Sequence, residues 1–225
     1  TGGIDHIPIH HENEIAQSKG ATGKIPANNW MHCEFLLVNG GKMSKSLNNL
    51  YTLSDLEEKG YSPLDYRMFN FSSHYRNKIN FTFEAMDAAK AALKRLKEGY
   101  KVHEQGNVQI EQDVIVEYEQ RFLQAINDDL NMPIAMSIVW EVIKNQNKSK
   151  QFAELLKKFD LVLGLKIDEE EKTEKLPEEI LHLIEQRREA RINKDWAKSD
   201  ELRDLILAKG YIVKDGKDGM TVEKQ

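Results

Sequence analysis

Within five residues, Lys42-Met43-Ser44-Lys45-Ser46 carries two ammonium groups and two hydroxyls. A compact charge on a flexible stem can follow negative charge as it shifts, so such a segment could close on polyphosphate and steady a leaving pyrophosphate. A lysine-bearing surface loop is the alternative for any Lys-x-x-Lys stretch. Near the start, His10 and Glu14 stand four apart in a run from His10 to Ser18 that reads as helix after Pro8. An imidazole and a carboxylate one turn apart share a face and could bind one Zn2+, or form an ordinary surface pair. Near the end, Arg187, Arg191, Lys194 and Lys198 step by four, three and four. That spacing predicts a basic stripe on which a phosphate backbone could lie, with the Trp196 indole available for stacking on an unpaired base. A solvated helix face remains the other reading.

These groups need elements to hold them. Phe35-Leu36-Leu37-Val38 followed by Asn39-Gly40-Gly41 predicts a strand that enters a loop at the first lysine. Ser54 is expected to cap a short helix stopped by Gly60, and Ser62-Pro63 to open another through Tyr66, Met68 and Phe69. From Thr82 apolar residues recur at three and four through Phe83, Met86, Ala89, Leu93 and Leu96, with Lys90, Lys94, Arg95 and Lys97 on the other face. The pattern resumes from Ile110 to Ile126, breaks at Asn131-Met132-Pro133, returns through Met136 to Ile143, and ends with Phe152 to Gly164. Short connections predict an antiparallel bundle whose Met, Phe and Trp stripe is core. Asp168 to Lys175 reads as a solvated linker. Two helices, from Pro177 to about Asn193 and from Asp195 to Lys209, then precede a hairpin through Tyr211-Ile212-Val213 and Met220-Thr221-Val222.

The 225 residues are 40% hydrophobic and 31% charged, a balance that excludes a disordered chain, and no apolar run is long enough to cross a bilayer. The net charge of −5 offers nucleic acid no overall attraction, so any such binding requires a local patch. Cys33 is the single cysteine. It can form no internal disulfide and is expected to be a buried or partly buried free thiol. With no leader in view, a cytoplasmic protein is expected. Thr1-Gly2-Gly3 is neither an initiating methionine nor a helix start, so the chain is expected to begin in mid-domain.

The Lys42 to Ser46 string resembles the signature of class I aminoacyl-tRNA synthetases. The longer run Gly2-Gly3-Ile4-Asp5-His6-Ile7-Pro8-Ile9-His10-His11-Glu12-Asn13-Glu14-Ile15-Ala16-Gln17-Ser18 is similar to a segment of cysteinyl-tRNA synthetases, and is far more restrictive. The resemblance implies a fold: the second part of an α/β nucleotide-binding, Rossmann-type catalytic domain (1–80), then a helical bundle touching the tRNA stem (81–166). An acidic linker (167–176) and a two-helix plus β-hairpin anticodon module (177–225) follow, so the whole is mixed and mostly α. It implies ATP with Mg2+, cysteine and tRNA(Cys) as substrates, and a monomer with no membrane association. By residue, it implies Lys42 and Lys45 at the phosphates, Gly2 and Gly3 against the adenosine, and Asp5 on the amino acid's ammonium. Trp30 would wall the substrate pocket, and His10 and Glu14 would be two zinc ligands whose cysteine partners lie outside this chain. Arg191, Trp196, Asp200, Arg203 and Asp215 would read the anticodon. Zinc would also accept a substrate thiolate, which gives selectivity over serine without proofreading. Ser73-His74-Tyr75-Arg76 with Asn80-Phe81 also matches the family and reads as structural, with contact to the tRNA acceptor arm as the other reading. Asn127 to Pro133 resembles the family's helix break in the bundle, which implies a stem-contact domain, and a polar turn explains it equally well. Two rivals stand beside this reading: a ligase that joins cysteine to an amino sugar with the same catalytic domain, and a non-catalytic RNA-binding or helical scaffold protein. The fragment alone is expected to be inactive.

Overall fold

A computed structural model describes residues 1–47, 49–169, 177–193, 195–216 and 219–224, with the side chains of Lys45, Glu178, 214–216 and 219–224 left undescribed. The expected linker lies mostly outside these residues. The chain divides into two compact units, Thr1–Glu169 and Glu170–Gln225.

The first unit opens on a two-residue strand, β1 (Gly2–Gly3), paired in parallel with β2 (His32–Cys33). Between them a π-helical turn, Ile7–His11, runs into α1 (Glu12–Thr22), which ends where Gly23 takes a left-handed conformation at φ 72°. No residue of α1 is buried. Next come β3 (Leu36–Val38) and β4 (Gly41–Lys42), an antiparallel pair turned by Asn39 and Gly40 at φ 49° and 76°, the positive values that a tight hairpin demands. β5 (Ile79–Phe81) lies parallel on the other side of β3.

Helix α2 (Leu53–Glu58) is capped by Thr52 through a reciprocal box with Asp55, and not by Ser54. Ser54 and Glu57 have the same spacing, but the helix starts two residues earlier, and Leu56 is its buried residue. Ser62 and Asp65 form the same box for α3 (Pro63–Asn70). Thr82 caps α4 (Phe83–Glu104), whose buried residues Met86, Ala89, Leu93, Leu96, Tyr100 and His103 keep the helical spacing. With α5 (Gln112–Asn127), α6 (Met132–Lys144) and α7 (Lys150–Leu163) it forms a bundle, and one continuous core runs from Val38 in β3 to Ile167. At its centre Phe122 and Phe159 stack with ring centroids 4.1 Å apart.

His103 is fully buried in this core. Its Nε2 donates to the carbonyls of Val142 at 2.9 Å and Ile143 at 3.3 Å, while Nδ1 accepts from the Ser149 N–H at 3.3 Å. Both ring nitrogens are thus committed to the neutral tautomer. Burial first, then the nearby Lys148 ammonium, holds this imidazole below its ordinary value. A lowered histidine stabilises fully above about pH 6.5 and loses that contribution as pH falls toward the folded-state value. Melting temperature is therefore expected to drop on acidification below about pH 6.5, and His103→Gln to flatten that segment of the profile. A wild-type profile parallel to that of His103→Gln would exclude His103 as its source.

The second unit holds α8 (Glu178–Ile192), α9 (Trp196–Ala208) and the hairpin of β6 (Tyr211–Gly216) with β7 (Gly219–Lys224). Among the described residues Ile180, Ala190, Leu202 and Ile206 are its buried apolar residues, and Asp195 caps α9 by accepting from the Lys198 N–H.

Candidate functional site

The Lys42 to Ser46 segment leaves the hairpin at β4, as the strand and glycine turn required. The Asn49 side chain braces it at its start and middle: Oδ1 accepts from the Ser44 N–H at 2.8 Å and Nδ2 donates to the Lys42 carbonyl at 3.1 Å. The two hydroxyls bond to one another, Ser44 Oγ to Ser46 Oγ at 2.7 Å, and Lys45 opens a 3-10 turn through Leu47. Lys42 is exposed. The hairpin turn behind it is tied to β5, where Asn80 Oδ1 accepts from the Gly40 N–H at 2.7 Å and the Phe81 carbonyl from the Asn39 N–H at 3.0 Å. A lysine loop on a three-stranded platform is thus held at its base.

At the amino-terminal strands the structure gathers residues that sequence reasoning missed. His11 Nδ1 lies 2.7 Å from His32 Nε2, and the His11 ring packs on Trp30 with centroids 4.6 Å apart. His6 adds edge contacts to His10 at 5.0 Å and His11 at 5.4 Å. Loss of water, then the imidazoles of His32 and His6, push His11 below its ordinary value, with Glu14 opposing. A His–His hydrogen bond needs one neutral lone pair, so the shift suits the contact. Gly2 packs against this group: a Cβ there would sit 2.7 Å from His6 Nδ1 and 2.9 Å from His11 Cε1. At Gly3 a Cβ would meet the Asp5 carboxylate. Only the adjacent pair His10-His11 hinted at this cluster, since His32 joins from twenty-one residues away.

His10 and Glu14 are both exposed, on either side of the junction between the π turn and α1. An imidazole and a carboxylate fit zinc in kind. Among the described residues no group of three or more such ligands assembles. Asp5 is exposed and Trp30 half-buried. Cys33, expected to be buried or partly so, is exposed. Among the described residues its two-residue strand has a single partner, β1; Gly2, Gly3 and His32 are half-buried, and Cys33 is the exposed one.

In the second unit Trp196, Asp200 and Arg203 follow at i, i+4 and i+7 on α9. The indole is 59% exposed, and Arg203 pairs with Asp200 at 3.5 Å. Arg191 is exposed at the end of α8. The expected basic stripe needs correction: Arg187 is 1% exposed, because its position on α8 falls on the side that also carries the buried Ile180 and Ala190. Lys194 and the Asp215 side chain lie outside the described residues.

Three family models match: tRNA synthetases class I (C) catalytic domain over residues 1–91, DALR domain over 121–168, and Cysteinyl-tRNA ligase anticodon binding domain over 173–222. The three matched regions are those of the class I tRNA synthetases. Among solved structures, the LeuRS of Agrobacterium radiobacter K84, in a ternary complex with tRNA and LeuAMS, shares the fold at TM-score 0.55 and 15% identity. That likeness covers 73% of this chain and 25% of that one. The cysteine–tRNA ligase of Protochlamydia amoebophila is 36% identical over all of this chain and 50% of its own length. That of Burkholderia lata is 38% identical over 97% of this chain and 46% of its own, and that of Chlamydia felis 39% over 99% and 50%. The chain belongs to the cysteinyl-tRNA synthetase family and spans about half the length of the curated relatives it matches. Among the described residues no helix is long and apolar enough to cross a membrane.

Proposed function

We propose that this chain is the carboxyl-terminal part of an enzyme that activates cysteine with ATP and ligates it to tRNA(Cys). The observation that carries the reading is the braced lysine loop on a hairpin, within a chain 36 to 39% identical to cysteine–tRNA ligases. In this reading residues 1–80 complete a Rossmann-type nucleotide fold. Lys42 and Lys45 close on the triphosphate and hold charge as the amino acid carboxylate attacks the α-phosphorus and pyrophosphate, with Mg2+, departs. Gly2 and Gly3 leave the backbone open toward the adenosine, Asp5 takes the α-ammonium, and Trp30 walls the side-chain pocket.

His10 and Glu14 are the residues here that would hold zinc, which when bound supplies a soft centre for the substrate thiolate. The full-length protein is expected to contain one zinc, and Glu14→Ala to lower the zinc measured by elemental analysis. Full occupancy in that variant would remove Glu14 from the ligand set. The terminal module contacts the anticodon: Trp196 stacks on a base, Arg191, Asp200, Arg203 and Asp215 bond to base edges, and 81–166 lies along the stem. A monomer in the cytoplasm completes the proposal.

The terminal module favours this over a cysteine–amino sugar ligase, which needs no anticodon contacts. Cysteine-dependent ATP–pyrophosphate exchange by the full-length protein tests the reading. Exchange with cysteine and little with serine is expected, and equal exchange with both would refute it.

A further inference from the structure

The turn between α5 and α6 is held in a conformation that its residues do not favour. Asp129 and Leu130 follow one another at φ 52° and 55°, a left-handed pair without a glycine, and Leu130 is 44% exposed, so burial is not what holds it there. What grips the turn comes from fifty residues earlier. Arg76 Nε donates to Asp129 Oδ2 at 2.5 Å and Nη2 to Oδ1 at 3.3 Å, while the Tyr75 hydroxyl donates to Oδ1 at 2.5 Å. The His74 Nε2–H donates to the Asp129 main-chain carbonyl at 2.8 Å, and its Nδ1 accepts from the Arg76 N–H at 3.2 Å, which leaves one consistent neutral tautomer. Arg76 and Tyr75 hold the Asp129 carboxyl down at about 2, so the clamp stays charged at any ordinary pH.

The clamping residues head a strap that leads to the lysine loop. The Tyr75 carbonyl accepts from the Glu34 N–H at 2.9 Å, just before β3, and the strap continues as β5 alongside β3. It ends at Asn80 and Phe81, whose oxygens fix the Asn39-Gly40 turn from which Lys42 departs.

From these contacts we infer that Asp129 is a positioning residue for the Lys42–Ser46 loop: through the strap 74–81 it sets where the hairpin sits, and couples the bundle turn to that loop. The inference rests on reading the loop as the phosphate-facing segment.

Amide hydrogen exchange on the 225-residue chain tests this without any assumption about catalysis. Asp129→Asn tolerates the left-handed backbone but loses the charge. Asp129→Gly relieves φ 52° outright but loses the carboxylate. Arg76→Lys attacks the clamp from the other side by removing the fork, and Arg121→Ala is the control, breaking the α5–α6 ion pair to Glu141. All three clamp variants are expected to speed exchange at Gly40 to Lys42 by roughly 10-fold, while Arg121→Ala leaves it unchanged. Should exchange rise only at 128–131, or should Asp129→Gly protect the hairpin as well as wild type does, the coupling is refuted. The phosphate reading would stand, since pyrophosphate exchange tests it separately.

Discussion

Gly106→Ala is expected to destabilise the first unit by roughly 3 kcal/mol, the upper part of the range for overpacking a closed site. Gly106 is buried just past the end of α4, where its N–H donates to the His103 carbonyl at 2.9 Å. The segment after it crosses the start of α7 backbone to backbone: Asn107 bridges to Ser149, and the Val108 N–H reaches the Lys148 carbonyl at 3.0 Å. A Cβ at 106 would fall on the Lys148 carbonyl group and the Ser149 nitrogen. Those are main-chain atoms, which cannot rotate aside as a side-chain tip can. Moving Ser149 would also break its N–H bond to buried His103 and disturb the cap that its hydroxyl provides to Gln151. At 2–4 °C per kcal/mol for a unit of this size, the melting temperature should fall by about 10 °C. Gly20→Ala is the control, since nothing lies within 4 Å of a Cβ there. Calorimetry showing equal midpoints for the two variants would contradict the close crossing.

In the full-length protein, Lys45→Ala is expected to slow adenylate formation by about 100-fold or more, the loss typical of removing one preorganised donor from a transition state. The effect belongs to the rate: the KM for cysteine should stay near its wild-type value, because charge builds on the departing pyrophosphate only as the bond breaks. The surrounding bonds give the loop a fixed base, with Asn49 spanning Ser44 and Lys42 and Ser44 bonded to Ser46, so removing the Lys45 side chain leaves the support intact. Arginine should restore little, since its planar fork cannot replace a compact ammonium tracking a moving charge. Pyrophosphate exchange is the measurement. An undiminished rate in Lys45→Ala would return the segment to an ordinary surface loop.

Relations within one or two turns were legible along the chain. Ser62 before α3, Thr82 before α4, Gly164 after α7 and the Asn39-Gly40 turn all stand where residue type predicted. So do the apolar steps of the bundle, because a helix returns every three or four residues to the same face. Choices between equivalent local signals were not legible. Thr52 and Ser54 offer the same capping box by spacing, and the folded chain uses the first. Arg187 looked like one member of a basic stripe, yet α8 turns it inward. Cys33 looked suited to burial, yet it lies on a two-residue strand with one partner and is exposed.

Residue order and chemistry thus specified the helices, the turns, the lysine loop and the family, since each depends on side chains close together in sequence. Tertiary structure alone decided that His11 meets His32, that Asp129 takes the hands of Arg76 and Tyr75, and that Gly106 must stay bare beneath Lys148. Those contacts join residues twenty to more than fifty apart. A chain announces such meetings only once packing has brought the partners within hydrogen-bond or van der Waals reach.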